Sequence, residues 1–434
     1  VCEKVGKIYF SKNKHAQSMN FFRNSLRIYN KVLGAEDIKY IDVLASIAKL
    51  LARNEEYDLA LSHFQSCLVV YKKKLGNEDD KVADVLCSIA SIHSKRIDYE
   101  EAMKYFSGAL KIRTNLFGRD SEAVALTMLD IGNLLEDWGD SDEAIDCFNE
   151  VLRIIRFQNG PGHVKAAEIL NKIGTVYAEK QEYDLALQSF QEALSIFINE
   201  VGKDAVEVGH TLHHIGGVYD AKHQYDDSLR CFSEALKIFQ AQLGGDDLSL
   251  ALALNNVGIN HARRKEYAKA IELCTESLRI RRLNLGTEHM DVADALYNIG
   301  NILDEWGKDD QALKFYEESL SLYRSKLGDE DVEVANCLQY IGSIHSRENK
   351  YGQAISCFAE SLRIYRLKHG DDSLDVAGIL FNLGRIYGKQ AQYDKALNCF
   401  TECFRIRKSE LGDDDADVIA ARRFVDAIQR KIRG

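Results

Sequence analysis

Apolar residues recur along this chain at helical spacing, in paired runs separated by short polar breaks. In the stretch Thr287 to Gly328, Val292, Leu296, Ile299, Gly300 and Leu303 form one run. After a break from Glu305 to Lys308, Ala312, Tyr316, Ser319, Leu320 and Leu322 form the next. The spacing predicts two helices, A and B. The closing Gly328 is one of ten glycines, Gly34, Gly76, Gly118, Gly160, Gly202, Gly244, Gly286, Gly328, Gly370 and Gly412, each 42 residues from the next without insertion or deletion. A fixed period of about 20 to 50 residues marks a solenoid, in which each module buries its apolar stripe only against its neighbours.

The same register pairs small residues with large ones. At the Gly300 position stand Gly6, Ala48, Ala90, Gly132, Gly174, Gly216, Gly258, Gly342 and Gly384. At the Tyr316 position stand Phe22, Phe64, Phe106, Phe148, Phe190, Phe232, Cys274, Phe358 and Phe400. Alanine holds the Ala312 position in most modules, with Ser18 and Ser228 departing. Helix A is therefore expected to leave a gap that receives the aromatic of helix B.

This order, a small residue, an alanine twelve positions on and an aromatic four further on, resembles the tetratricopeptide repeat over essentially the whole chain. The period of 42, the Leu-Gly ending and the runs Leu254 to Gly258 and Leu285 to Ala293 are similar to the long repeats of kinesin light chains and their relatives. The resemblance implies an all-α helical-hairpin solenoid wound as a right-handed superhelix, with an inner groove lined by the A helices. A single array is expected over 1–434: a truncated first repeat at 1–34, nine full repeats over 35–412, and a capping helix within 413–434. The chain begins with Val1 part-way into an A helix, so a segment of a longer protein is expected.

Charge and composition refine this picture. A single proline, Pro161, suits a nearly all-helical chain. Net charge is −11, which argues against general affinity for nucleic acid or anionic membrane. Much of that charge lies in the loops after the glycines, where Asp37, Asp79, Ser121, Asp247, Asp331, Ser373 and Asp415 are placed as N-caps. The glycines themselves are expected to end the B helices in left-handed geometry. Of ten cysteines, Cys147, Cys231, Cys357 and Cys399 share one repeat position, which predicts packing thiols rather than disulfides. With no apolar stretch near 18 residues and no signal-like start, a reducing, soluble, cytoplasmic setting is expected.

Candidate chemistry is sparse. No phosphate loop, H-E-x-x-H, paired C-x-x-C or G-x-S-x-G motif occurs, so the chain is not expected to be an enzyme and no cofactor is expected. His210, His213 and His214 share a helical face and could offer two nitrogens to a metal, but a third ligand is not evident. They read as groove-lining residues, with no metal expected. His93, His261 and His345 occupy positions that hold Tyr9, Tyr177, Tyr219 and Tyr387 elsewhere, and read as packed. Trp138 and Trp306, in equivalent repeats, read as bulky residues closing the turn between A and B.

The resemblance implies a protein or peptide partner in the concave groove. Positions two and three residues before each small residue vary widely while the packing positions do not. Among them Asn171, Asn255, Asn256, Asn298 and Asn382 could donate to and accept from a peptide backbone. Tyr297, Tyr340 and Phe381 could supply apolar contact, and His213 and His214 lie at the same positions. Charge along the inward A-helix positions is uneven. Asp130, Glu136, Asp137, Glu168, Glu179 and Asp220 stand against Lys172 alone, whereas Arg347, Arg385 and Lys389 stand without a carboxylate in their own stretch. A partner is thus expected to place basic residues on repeats four to six and acidic residues on the last two. The expected function is a non-catalytic interaction scaffold or adaptor of kinesin-light-chain type. The alternative is a regulatory or oligomerising array of a larger signalling protein whose other domains lie outside this segment.

Overall fold

Within each unit, modules close because a small residue on helix A leaves room for a large one from helix B. A Cβ added to Gly300 would lie 2.8 Å from the Tyr316 ring, and one added to Gly384 would lie 2.9 Å from the Phe400 ring. Both rings are almost wholly removed from solvent, and an aromatic of this size dominates the local burial term. The computed structural model describes residues 2–12 and 14–433. Val1, Asn13 and Gly434, which the expected repeat boundaries include, lie outside the described residues. Among the described residues there are 21 helices and no strand.

The chain divides into two compact units. The first, Val1–Lys222, holds α1 (Cys2–Ser11), α2 (His15–Val32), α3 (Ile38–Arg53), α4 (Tyr57–Leu75), α5 (Asp80–Lys95) and α6 (Tyr99–Phe117). It continues with α7 (Glu122–Trp138), α8 (Ser141–Asn159), α9 (Val164–Glu179), α10 (Tyr183–Glu200) and α11 (Val206–Ala221). Odd-numbered helices here are A helices. Helices α1, α3, α5, α7 and α9 each pack on the B helix that follows, and A helices of adjacent modules also meet, as α3 with α5 and α9 with α11.

The second unit, His223–Gly434, opens with the B helix α12 (Tyr225–Gln242). Four hairpins follow: α13 (Leu248–Arg263) with α14 (Tyr267–Leu285), α15 (Met290–Glu305) with α16 (Asp309–Leu327), α17 (Val332–Arg347) with α18 (Tyr351–His369), and α19 (Leu374–Lys389) with α20 (Tyr393–Leu411). Helix α21 (Ala416–Arg433) packs on α20 and buries Val418, Ala421 and Ile428, which is the expected cap. A hydroxyl inside several hairpins ties B to A: Ser277, Ser319 and Ser361 donate to the carbonyls of Ala251, Ala293 and Ala335 at 2.6, 2.9 and 2.9 Å. Buried carbonyls thereby gain a second donor at little cost in volume.

All seven expected N-caps accept a backbone N–H from the first turn, for example Asp331 from Glu333 at 2.9 Å and Asp415 from Asp417 at 2.8 Å. Two further caps are histidines. His163 and His289 accept through Nδ1 from Lys165 and Asp291, each at 3.1 Å.

The glycine ends differ from the expected left-handed geometry. Gly328 has φ 87° and ψ 170°, positive in φ but extended in ψ, a region that is essentially glycine-only. Gly244 departs from its nine equivalents. Helix α12 stops at Gln242, capped by Leu243 in an extended conformation, and Gly244 is not among the positive-φ residues. The left-handed residue lies instead in nine of the A-to-B turns, at Glu55, Ile97, Gly139, Gln181, His223, Lys265, Gly307, Asn349 and Ala391.

All ten cysteines are free thiols, and burial pushes those of Cys231 and Cys399 up to about 11. No helix among the described residues is long and apolar enough to cross a membrane.

Candidate functional site

In the second unit, α17 and α19 lie side by side with α18 packed on both. Between them a cavity of about 240 Å³ is lined by Ser343, Ser346, Arg347, Asn382, Arg385 and Lys389, with Phe358 of α18 among the walls. Four expected groove residues, Arg347, Asn382, Arg385 and Lys389, thus meet at one place. Arg385 and Lys389 share a face because they are four residues apart on one helix.

Their charges are not equally available. Arg347 donates from Nε to Asp309 at 3.0 Å and from Nη2 to Asp304, both in the preceding repeat. Burial pushes the Asp304 carboxyl up, and the Arg347 guanidinium opposes that shift. The three cations meet no inward carboxylate of their own stretch, but Arg347 is clamped by two from the neighbouring module, which the count within the stretch did not include. Lys389 lies with Nζ 5.8 Å over the Tyr351 ring, and among the described residues Arg385 is in no ion pair, so these two carry the free positive charge of the cavity.

The aromatic candidates are packed first and exposed second. Tyr297 and Tyr340 form a three-ring cluster with Tyr316, with centroids 5.3 to 5.8 Å apart, and the Tyr316 hydroxyl donates to Asn301 at 2.7 Å. Phe381 meets Phe400 and Phe424 edge-on, and the Arg407 guanidinium lies 5.0 Å over its ring, so it anchors the capping helix. Asn298, Asn256 and Asn382 are half-buried. Asn255 is only 5% exposed and its Oδ1 meets no donor among the described residues, so it belongs to the interior rather than to the wall where it was expected. Asn260, which sequence reasoning passed over, is more buried still and donates to the Asn256 carbonyl at 3.0 Å.

In the first unit, Asn171 donates to Thr211 Oγ1 at 2.8 Å, across adjacent A helices, while its Oδ1 lacks a donor among the described residues. The His214 ring stacks on Phe190 at 5.3 Å, and His213 meets His214 edge-on. Burial pushes the His213 imidazole down to about 4, with His214 and His210 adding to the shift. Among the described residues no group of three or more His, Cys, Asp or Glu is placed to hold a metal ion. Asp130 and Glu136 have carboxyls pushed up by burial, and Lys172 donates to Asn133 at 2.9 Å.

Of the histidines and tryptophans expected to pack, His261 and His345 are buried and His93 is half-buried, whereas Trp138 and Trp306 are 44% and 41% exposed. His93 and His261 reach the turn carboxylates Asp98 and Glu266 at 2.9 and 2.8 Å. Trp138 and Trp306 stack on Tyr99 and Tyr267, the first residues of the preceding B helices, at 6.0 and 6.1 Å.

A family model described as tetratricopeptide repeat matches residues 81–156, 139–199, 165–241, 207–282, 249–325 and 333–409, and a second of the same description matches 3–38. The chain belongs to the tetratricopeptide repeat family. Arrays of this family mediate protein–protein interaction. No curated protein matches the chain. Solved structures share the fold at low identity. RapI in its apo form aligns with a TM-score of 0.54 and 16% identity, over 81% of this chain and 98% of its own. A signal transduction ATPase with numerous domains and a tetratricopeptide repeat sensor, from Pyrococcus horikoshii, aligns with a TM-score of 0.55 and 15% identity, over 82% of this chain and 52% of its own. A candidate kinesin light chain with nearly identical repeats, from Podosopora anserina, aligns with a TM-score of 0.42 and 12% identity, over 47% of this chain and 97% of its own.

Proposed function

We propose that this tetratricopeptide array is a non-catalytic interaction scaffold or adaptor, of kinesin-light-chain type, that holds a partner segment on the faces of its A helices. The observation that carries this reading is the cavity between α17 and α19. There the free charges of Arg385 and Lys389 converge beside the Asn382 amide and the hydroxyls of Ser343 and Ser346. A recess with two unpaired cations, an amide and an apolar wall from Phe358 suits an acidic side chain on an extended peptide, with the amide placed for its backbone. The first unit contributes acidic A-helix positions, Asp130 and Glu136 among them, which suit basic residues of a partner. No feature of the cavity favours the alternative, a regulatory or oligomerising array of a larger signalling protein.

The test is site-directed photo-crosslinking. A benzophenone side chain at Asn382 is expected to capture the partner, and one at Glu317, exposed on the B helix α16, is not. Capture of the same partner from Glu317 and not from Asn382 would place binding on the opposite helices.

A further inference from the structure

The lining of the cavity in the second unit recurs in the first. Lys49, Arg53 and Lys95 line a cavity of about 340 Å³ built by α3 and α5, with Phe64 of α4 among the walls. Phe64 stands 294 residues, seven periods, before Phe358, and the three cations stand the same distance before Ser343, Arg347 and Lys389. A periodic backbone accounts for a recess at both places. It does not account for the charge. At the position shared by Arg53, Lys95, Arg347 and Lys389, the intervening repeats carry Asp137, Glu179, Ala221, Arg263 and Glu305. Two cations in successive repeats therefore occur at each end of the array and nowhere between.

The two cavities differ in what surrounds their arginine. Seven periods before Asp304 and Asp309, which clamp Arg347, stand Phe10 and His15. Arg53 accordingly stacks 4.1 Å over the Phe10 ring instead of pairing with a carboxylate. Lys49 and Lys95 are exposed and, among the described residues, in no ion pair. Two carboxylates line an adjoining cavity with Lys49, and both are engaged elsewhere: Asp42 by the Tyr71 hydroxyl at 2.6 Å and by Lys81 at 2.7 Å, and Asp84 by Arg113. The first cavity thus presents three cations against two free ones in the second. Its aromatic walls, Phe10 and Phe64, offer apolar contact beside the charge.

We infer that Lys49, Arg53 and Lys95 form a second docking site for an acidic peptide segment, equivalent to that at Arg385 and Lys389 but more strongly basic, so that one chain takes two such segments. This rests on the reading that acidic segments dock on the A-helix faces. A short carboxylate-bearing peptide is favoured over nucleic acid. A net charge of −11 repels a long polyanion, whereas a short segment meets only the local cations.

The test uses the full chain with a fluorescein-labelled peptide of glutamate and leucine, its glutamine counterpart and a labelled oligouridylate. Titration calorimetry supplies the stoichiometry, and circular dichroism confirms that each variant is folded. Wild type takes two glutamate peptides per chain. Lys49→Glu with Lys95→Glu takes one and loses the tighter phase. Arg385→Glu with Lys389→Glu takes one and loses the weaker phase. The milder Lys49→Gln and Lys95→Gln each weaken the tighter phase by roughly two- to fivefold, the range of a solvent-exposed ion pair.

A single peptide per chain, removed by the changes at Arg385 and Lys389 and untouched by those at Lys49 and Lys95, overturns the second site while the docking reading stands. No binding to wild type, or binding that neither double variant alters, overturns both. Tighter binding of oligouridylate than of the glutamate peptide, lost on changing Lys49 and Lys95, assigns this cavity to nucleic acid and overturns the inference.

Discussion

A Cβ built on Gly132 would stand 2.5 Å from Cε1 of Phe148, closer than real Cβ contacts come, and the Phe148 ring is fully buried. Alanine is normally the better helix residue by about 1 kcal/mol. Here that preference opposes overpacking, which costs about 1 to 3 kcal/mol in a close-packed interior. Gly132→Ala is expected to lower stability by about 1 kcal/mol in urea titration, and Gly132→Ala with Phe148→Leu to lower it less than the sum of the two single changes. A stabilised Gly132→Ala would show that the ring is not what excludes a side chain.

The repeat-closing glycines provide an internal control. Gly328, at φ 87° and ψ 170°, occupies a region closed to other residues, whereas Gly244 does not have positive φ. Gly328→Ala is expected to cost about 1 to 3 kcal/mol, and Gly244→Ala to cost much less. Equal losses, read by urea denaturation of the two variants, would contradict the difference in backbone geometry.

Ile97 shows the opposite mismatch. It is β-branched, holds φ at 61°, and is 74% exposed, so its side chain contributes little burial while its backbone is strained. Its equivalents Gly139 and Gly307 need no such strain. Ile97→Gly is expected to raise stability by about 1 kcal/mol, measured as a higher urea midpoint at unchanged slope.

His213 couples the fold to pH. Its imidazole is pushed down to about 4 by burial, below the ordinary value of 6.5. Between these values the unfolded chain binds the proton and the folded chain does not. Stability is therefore lost as pH falls through that window, by up to about 3 kcal/mol. His213→Gln is expected to flatten the difference in melting temperature between pH 7 and pH 4.5, and an unchanged slope would show that His213 is not the titrating group.

Much of this was legible in the sequence because it is set by local rules. The hairpin boundaries follow from helical spacing, the Asp and Ser caps from their place three residues past the glycines, and the small-to-large pairing from one repeat register. What the sequence hid depends on contacts between modules or on backbone detail. Asp304 and Asp309 lie 43 and 38 residues before Arg347, and only the stacking of one hairpin on the next brings them to its guanidinium. Asn255 shares its register with exposed positions, yet its side chain is closed off by packing. The basic recess at Lys49, Arg53 and Lys95 had a signal available, since its positions repeat those of the later cavity at seven periods, but charge summed over the later repeats alone passed over it.

Amide hydrogen exchange of the full chain, with and without a glutamate- and leucine-containing peptide, tests most directly whether the A-helix faces receive acidic segments. Added protection is expected in α17 and α19, at residues 332–347 and 374–389, abolished by Arg385→Glu with Lys389→Glu. Protection confined to the B helices, or unchanged by those two substitutions, would contradict it.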